Sequence, residues 1–119
     1  MSIGSSETLY RMVNPKMWVT EENRISSALF KDKKGVSVDR DIERSQDEVI
    51  REFEGRGKEL KGVVAIGVKE CHSIPVLVSE DPIPENTYHA LIVDSVEKIQ
   101  LSKSKLKKIA EMCRLVKEY

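Results

Sequence analysis

Apolar and polar residues alternate along this chain at two periods, and the points where the period changes divide it into elements. Strict alternation over Thr8–Val13 sets Leu9, Arg11 and Val13 on one side and Tyr10 and Met12 on the other, which predicts a short strand ended by Asn14-Pro15. The next stretch supports two readings. One is a helix from Thr20-Glu-Glu-Asn to Phe30; the other, which we favour, is a β-hairpin of Ile25–Phe30 and Val36–Asp39 about the polar turn between them. Ser45-Gln-Asp-Glu48 has the capping-box form and predicts a short helix with Val49, Ile50 and Phe53 on one face, closed by Gly55 and Gly57. Gly62–Val68 is apolar on both alternating sides, as in a central strand covered on each face.

Ile74–Val78 reads as an extended piece that Pro75 places at an edge or a strand start, and Asp81-Pro-Ile-Pro-Glu-Asn86 as a rigid acidic loop. Tyr88–Val93 predicts a second strong strand, with Lys98–Leu101 as a shorter partner. From Ser102 or Ser104 to Glu118, the residues Leu106, Ile109, Ala110, Cys113 and Val116 fall at helical spacing opposite a lysine-rich side. The fold class predicted is α+β: a small mixed sheet of about four to six strands, a short central helix and a C-terminal amphipathic helix. Residues 1–7 are small and polar and are expected to be a disordered N-terminus ahead of a single domain over 8–119.

Composition narrows the class without naming a reaction. A chain of 119 residues, 39% hydrophobic and 34% charged, suits one core. No apolar run approaches the ~20 residues of a membrane helix, and MSIGSSETLY lacks the basic and apolar regions of a signal peptide, so a cytoplasmic protein is expected. Twenty cations balance twenty acids, which argues against a strongly basic nucleic-acid binder. The charge is unevenly spread, at −4 over residues 79–99 and +4 over 101–119. Lys103, Lys107, Lys108 and Arg114 would share the outer side of the terminal helix, either as a solvated face or as a patch for RNA, DNA or an acidic partner. Cys71 and Cys113 are expected reduced, and Cys71-His72 has no second Cys/His pair to complete a zinc site.

No glycine-rich phosphate cradle, His-Glu-x-x-His, nucleophile elbow or Cys-x-x-Cys occurs, so neither cofactor nor metal is predicted. The remaining candidates are scattered. Arg24 with Ser26 and Ser27 combines a cation and two hydroxyls, a set that holds phosphate or carboxylate when it is not simply satisfying a turn. His89 alternates in step with Leu91 and Val93, which suits a core or core-edge histidine with a satisfied ring; as an acid or base it would work with Arg11 or Arg24. Asp39-Arg40-Asp41 pairs two carboxylates around an arginine, and such a run after a strand is commonly a solvated loop. Trp18, the single tryptophan, reads as a core-edge residue.

Leu-Tyr-Arg-Met-Val-Asn-Pro-Lys (9–16), Arg-Ile-Ser-Ser-Ala-Leu-Phe-Lys (24–31), Val-Ser-Val-Asp (36–39) and Asp-Pro-Ile-Pro with Tyr-His-Ala-Leu-Ile (81–92) together resemble a group of short bacterial proteins of unknown function. That resemblance spans nearly the whole chain and implies no catalytic role. Leu9-Tyr10-Arg11 is also similar to the opening strand of small NAD-dependent ADP-ribosyltransferase-like domains, in which an early arginine meets the nicotinamide cofactor. The supporting strand and late acidic residue of those domains have no counterpart that can be aligned here. Two functional readings follow. The first is a binding or interaction module whose partner is a protein, or more weakly a nucleic acid. The second is a small hydrolase or transferase on RNA or a nucleotide, with Arg11 and Arg24 holding anions, Ser26 or Ser27 donating hydrogen bonds and His89 moving protons. A cleft holding His89 with Arg11 or Arg24 within hydrogen-bond reach of a common point would favour the enzyme, and dispersed positions the module.

Overall fold

The computed structural model describes residues 3–119. Its centre is a six-stranded sheet built from β1 (Thr8–Val13), β4 (Val36–Arg40), β5 (Gly62–Gly67), β6 (Leu77–Glu80), β7 (His89–Val93) and β8 (Arg114–Glu118), in the order β6-β7-β4-β1-β5-β8. Every pairing is antiparallel, where a mixed sheet was expected. A separate two-stranded ribbon joins β2 (Trp18–Val19) to β3 (Arg24–Ile25). Three helices pack on the sheet: α1 (Gln46–Gly55), α2 (Val68–Ser73) and α3 (Lys103–Met112).

The registers sort the side chains onto two faces. Leu9, Val13, Val36, Val38, Ile66 and Ile92 lie on one face, in a core covered by α2, α3 and the 3₁₀ turn Ser27–Phe30. Tyr10, Val63 and Ala65 lie on the other, under Val49, Ile50 and Phe53 of α1. Both sides of β5 are therefore buried, as its unbroken apolar run predicts. The capping box also forms: Ser45 Oγ accepts from the Glu48 amide at 3.2 Å, and the Ser45 amide donates to Glu48 at 3.1 Å. Gly57 takes φ +71°, the left-handed turn that releases the chain from α1.

Four expectations are corrected. The terminal helix stops at Met112, and 114–118 is β8, an edge strand on β5. Arg114, Leu115, Lys117 and Glu118 pair along a strand whose other edge is already occupied by β1, and that pairing outweighs continuing the helix. Gly62 permits the approach, since a Cβ there would lie 2.7 Å from the Lys117 carbonyl oxygen. The 25–30/36–39 hairpin does not form: β3 turns back on β2, 27–30 is the 3₁₀ turn, and β4 pairs with β1 and β7. Residues 98–101 are no strand: the Asp94 and Ser95 amides donate to the Ile99 and Lys98 carbonyls and close a tight turn instead. Asp39 and Arg40 are not a solvated loop but the buried end of β4, at 4% and 3% exposure.

Of the stretch expected to be disordered, residues 1 and 2 lie outside the described residues. Glu7 is held by Arg40 through contacts of 2.7 and 2.9 Å. No helix among the described residues is long and apolar enough to cross a membrane.

Candidate functional site

One helix about 10 Å across does not cover a six-stranded sheet, whose width at ~4.8 Å per strand is about 24 Å. Covering β1 and β5, α1 leaves the same face of β4 and β7 open between itself and the 81–88 loop. A cleft of about 630 Å³ results. Its floor includes a row of register partners running from Tyr10 on β1 through Asp39 on β4 to His89 on β7.

The loop is fixed to this floor by Asn86. Its Nδ2 donates to Asp39 at 3.1 Å and its Oδ1 accepts from the Tyr88 amide at 3.0 Å, while Ile83 and Asn86 bridge backbone to backbone. Burial of the Asp39 carboxylate is offset by three donors, since Arg56 approaches to 3.0 Å and Arg44 to 3.5 Å besides Asn86. Arg44 also lies over the Tyr88 ring, 3.7 Å from its centre. Asp39 is thus fully engaged, a charge that organises the cleft rather than a free base.

His89 is 15% exposed at its side chain. Its Nδ1 lies 3.0 Å from the Asp81 carbonyl oxygen and 3.1 Å from an Asp81 carboxylate oxygen. Both partners only accept, so Nδ1 carries the proton, and in the neutral ring Nε2 keeps its lone pair. His89 shares its side of β7 with Leu91 and Val93, and this is the half-buried side that borders the cleft; Ala90 and Ile92, on the other side, are fully buried.

Arg11 lines the same cleft from beyond the last β1–β4 pair, although by alternation it belongs to the Leu9 and Val13 side of β1. Nε donates to the Leu29 carbonyl at 3.0 Å and Nη1 to the Ser37 carbonyl at 2.6 Å. It has no carboxylate within ion-pair distance among the described residues. Two of its five N–H groups are therefore used, leaving three. Burial pushes its guanidinium down from the usual arginine value, with Asp32 acting in the opposite direction.

The other candidates lie elsewhere. Ser26 accepts from the Ala28 amide at 3.2 Å and caps the 3₁₀ turn that Ser27 begins; Arg24 pairs with Glu22 at 2.7 Å on the surface. None of the three lines the cleft. Lys103, Lys107 and Lys108 are exposed on α3, across the sheet from the cleft. Arg114 does not join them: as the first residue of β8 it pairs with Glu70 at 3.1 Å. Trp18 is half-buried against the core, with Lys61 4.9 Å from its ring centre. Among the described residues, no three His, Cys, Asp or Glu side chains group closely enough to hold a metal ion. Asp39 and Asn86 had a signal in the sequence, the polar side of an alternating strand and a proline-bounded loop. Arg56, just past the end of α1, had none.

In comparisons with known proteins the chain matches no family model, no curated protein and no solved structure.

Proposed function

We propose that the chain is a binding module whose working surface is the cleft between α1 and the 81–88 loop, and that its ligand carries a single anionic group received by Arg11. The observation that carries this reading is an arginine held by two backbone carbonyls with no carboxylate within ion-pair distance among the described residues. Guanidinium groups that serve only the fold are commonly closed off by an acid, as Arg40 is by Glu7. Three remaining N–H donors beside a cleft suit a carboxylate or phosphate.

The test is a titration followed by amide and Arg Nε–H resonances, using dimethyl phosphate, inorganic phosphate and acetate as probes. Saturable shifts at Arg11 and along the cleft floor are expected. In Arg11→Gln the same titration should weaken by about tenfold or more, the loss of one charge-assisted contact worth ~1.4 kcal/mol. Absence of a saturable response to every probe, or one unchanged in the variant, would overturn the reading.

A further inference from the structure

We propose that the cleft hydrolyses a phosphodiester, with His89 moving the proton and Arg11 receiving the phosphate. The inference rests on the binding reading above and adds a reaction to it. Its basis is that an imidazole of fixed tautomer on β7 and an arginine with donors to spare on β1 both line one cleft.

The other reactive groups of the described chain are unsuited to the work. Asp39 is engaged by three donors. Cys71 and Cys113 belong to the core on the opposite face of the sheet, and burial pushes their thiols up to about 12 and about 11. Nε2 of His89 is then the base that the cleft offers, and Asp81 sets both its tautomer and its direction.

Charge narrows the ligand. Arg11, Lys31, Arg56 and Lys58 line the cleft against an equal number of acids, Asp32, Asp39, Glu59 and Glu85. A cleft lined by equal numbers of cations and acids, with a guanidinium that has no carboxylate within ion-pair distance among the described residues, matches a monoanion better than a dianion. A phosphodiester is a monoanion at neutral pH, and unlike a carboxylate it has a bond to break. It also gains negative charge on its non-bridging oxygens as a nucleophile adds, which is where Arg11 donors act most strongly.

The step needs only water. Nε2 takes a proton from a water molecule as its oxygen bonds to phosphorus; the bond from phosphorus to one ester oxygen breaks, and the imidazolium returns the proton to that oxygen. A monoester and an alcohol leave, and His89 is neutral again. Asp81 is a positioning residue: it holds Nδ1–H and steadies the imidazolium without touching the substrate.

The test uses the full chain with three diesters: bis(4-nitrophenyl) phosphate, a 2′,3′-cyclic nucleotide as the free small-molecule source, and a single-stranded oligodeoxynucleotide as the polymeric one. Turnover of at least one is expected, and which one identifies the source. His89→Gln should lower kcat by about a hundredfold or more, and activity of His89→Ala should be partly restored by added imidazole, a rescue that a structural histidine would not give. Asp81→Asn should lower kcat by about tenfold or more while KM stays within about twofold. No turnover of any diester by a chain that still binds dimethyl phosphate would overturn the hydrolysis and leave the binding module standing. Loss of both would remove both, and equal turnover by wild type and His89→Gln would also overturn the assignment.

Discussion

Glu7 and Arg40 join the start of the described chain to the floor of the sheet. The carboxylate is 11% exposed and the guanidinium 4%, and the two meet at 2.7 Å, with Glu80 a further 3.6 Å from the arginine. The hydrogen bond from Arg40, ahead of the opposing effect of burial, holds the Glu7 carboxyl below its ordinary value of 4.5. A carboxyl lowered by folding contributes stability that is fully present above the unfolded value and is lost as pH falls through the folded one. Replacing Glu7 with Gln should therefore cost about 1.5–3 kcal/mol at neutral pH and narrow its distance from the wild type as pH falls below 4.5. Urea midpoints for the two proteins between neutral and acid pH check this; parallel curves would show that the pair contributes no linkage. At this scale the site was half legible. Arg11 and His89 stood out by residue type, but whether they shared a cleft depended on β4 lying between β1 and β7, a long-range pairing with no local signal. Alternation groups His89 with Leu91 and Val93, as the strand does, but it does not say which of two apolar sides meets the larger core, and the fully buried pair is Ala90 and Ile92.

Local rules succeed where an element carries its own start and stop. In α1, Ser45 and Glu48 supply the reciprocal cap and three apolar residues supply the buried face, so the helix is written within a dozen residues. Ser45→Ala should cost about 1 kcal/mol, seen as a lower denaturant midpoint at unchanged slope; equal midpoints would mean that the cap does not support the helix. The C-terminal segment lacked such punctuation. Helical spacing runs on through Cys113 and Val116, yet Cys113 is already extended and the chain leaves α3 for β5. No glycine or proline marks the break, and the competing partner lies some fifty residues earlier in the chain. The 25–30 segment failed similarly: a hairpin pattern is present, but Ser26 caps a 3₁₀ turn whose Leu29 and Phe30 enter the core directly.

For the whole molecule, the α+β class and the central place of β5 follow from hydrophobic pattern, while the cleft follows from a mismatch of sizes that no single segment records. The sheet is roofed by two helices and a 3₁₀ turn on one face and by a single helix on the other. β8 bears on a different property, solubility. Along its length β5 reads Val63-Val64-Ala65-Ile66, apolar on both sides, and β8 occupies one of its two hydrogen-bonding edges. The outer rim that β8 presents instead carries Arg114, Lys117 and Glu118 and an irregularity in register near Val116, features that discourage a further strand from adding. Trimming the chain back to Cys113, by carboxypeptidase or by an early stop codon, would turn this guarded rim into an adhesive one. Such a truncated protein should scatter light and bind thioflavin at concentrations where the intact chain stays clear, and a truncated chain that stayed clear would show that the rim needs no guard. The six residues that follow Cys113 would thus decide whether the most apolar strand of the fold is a core element or a seed for fibres.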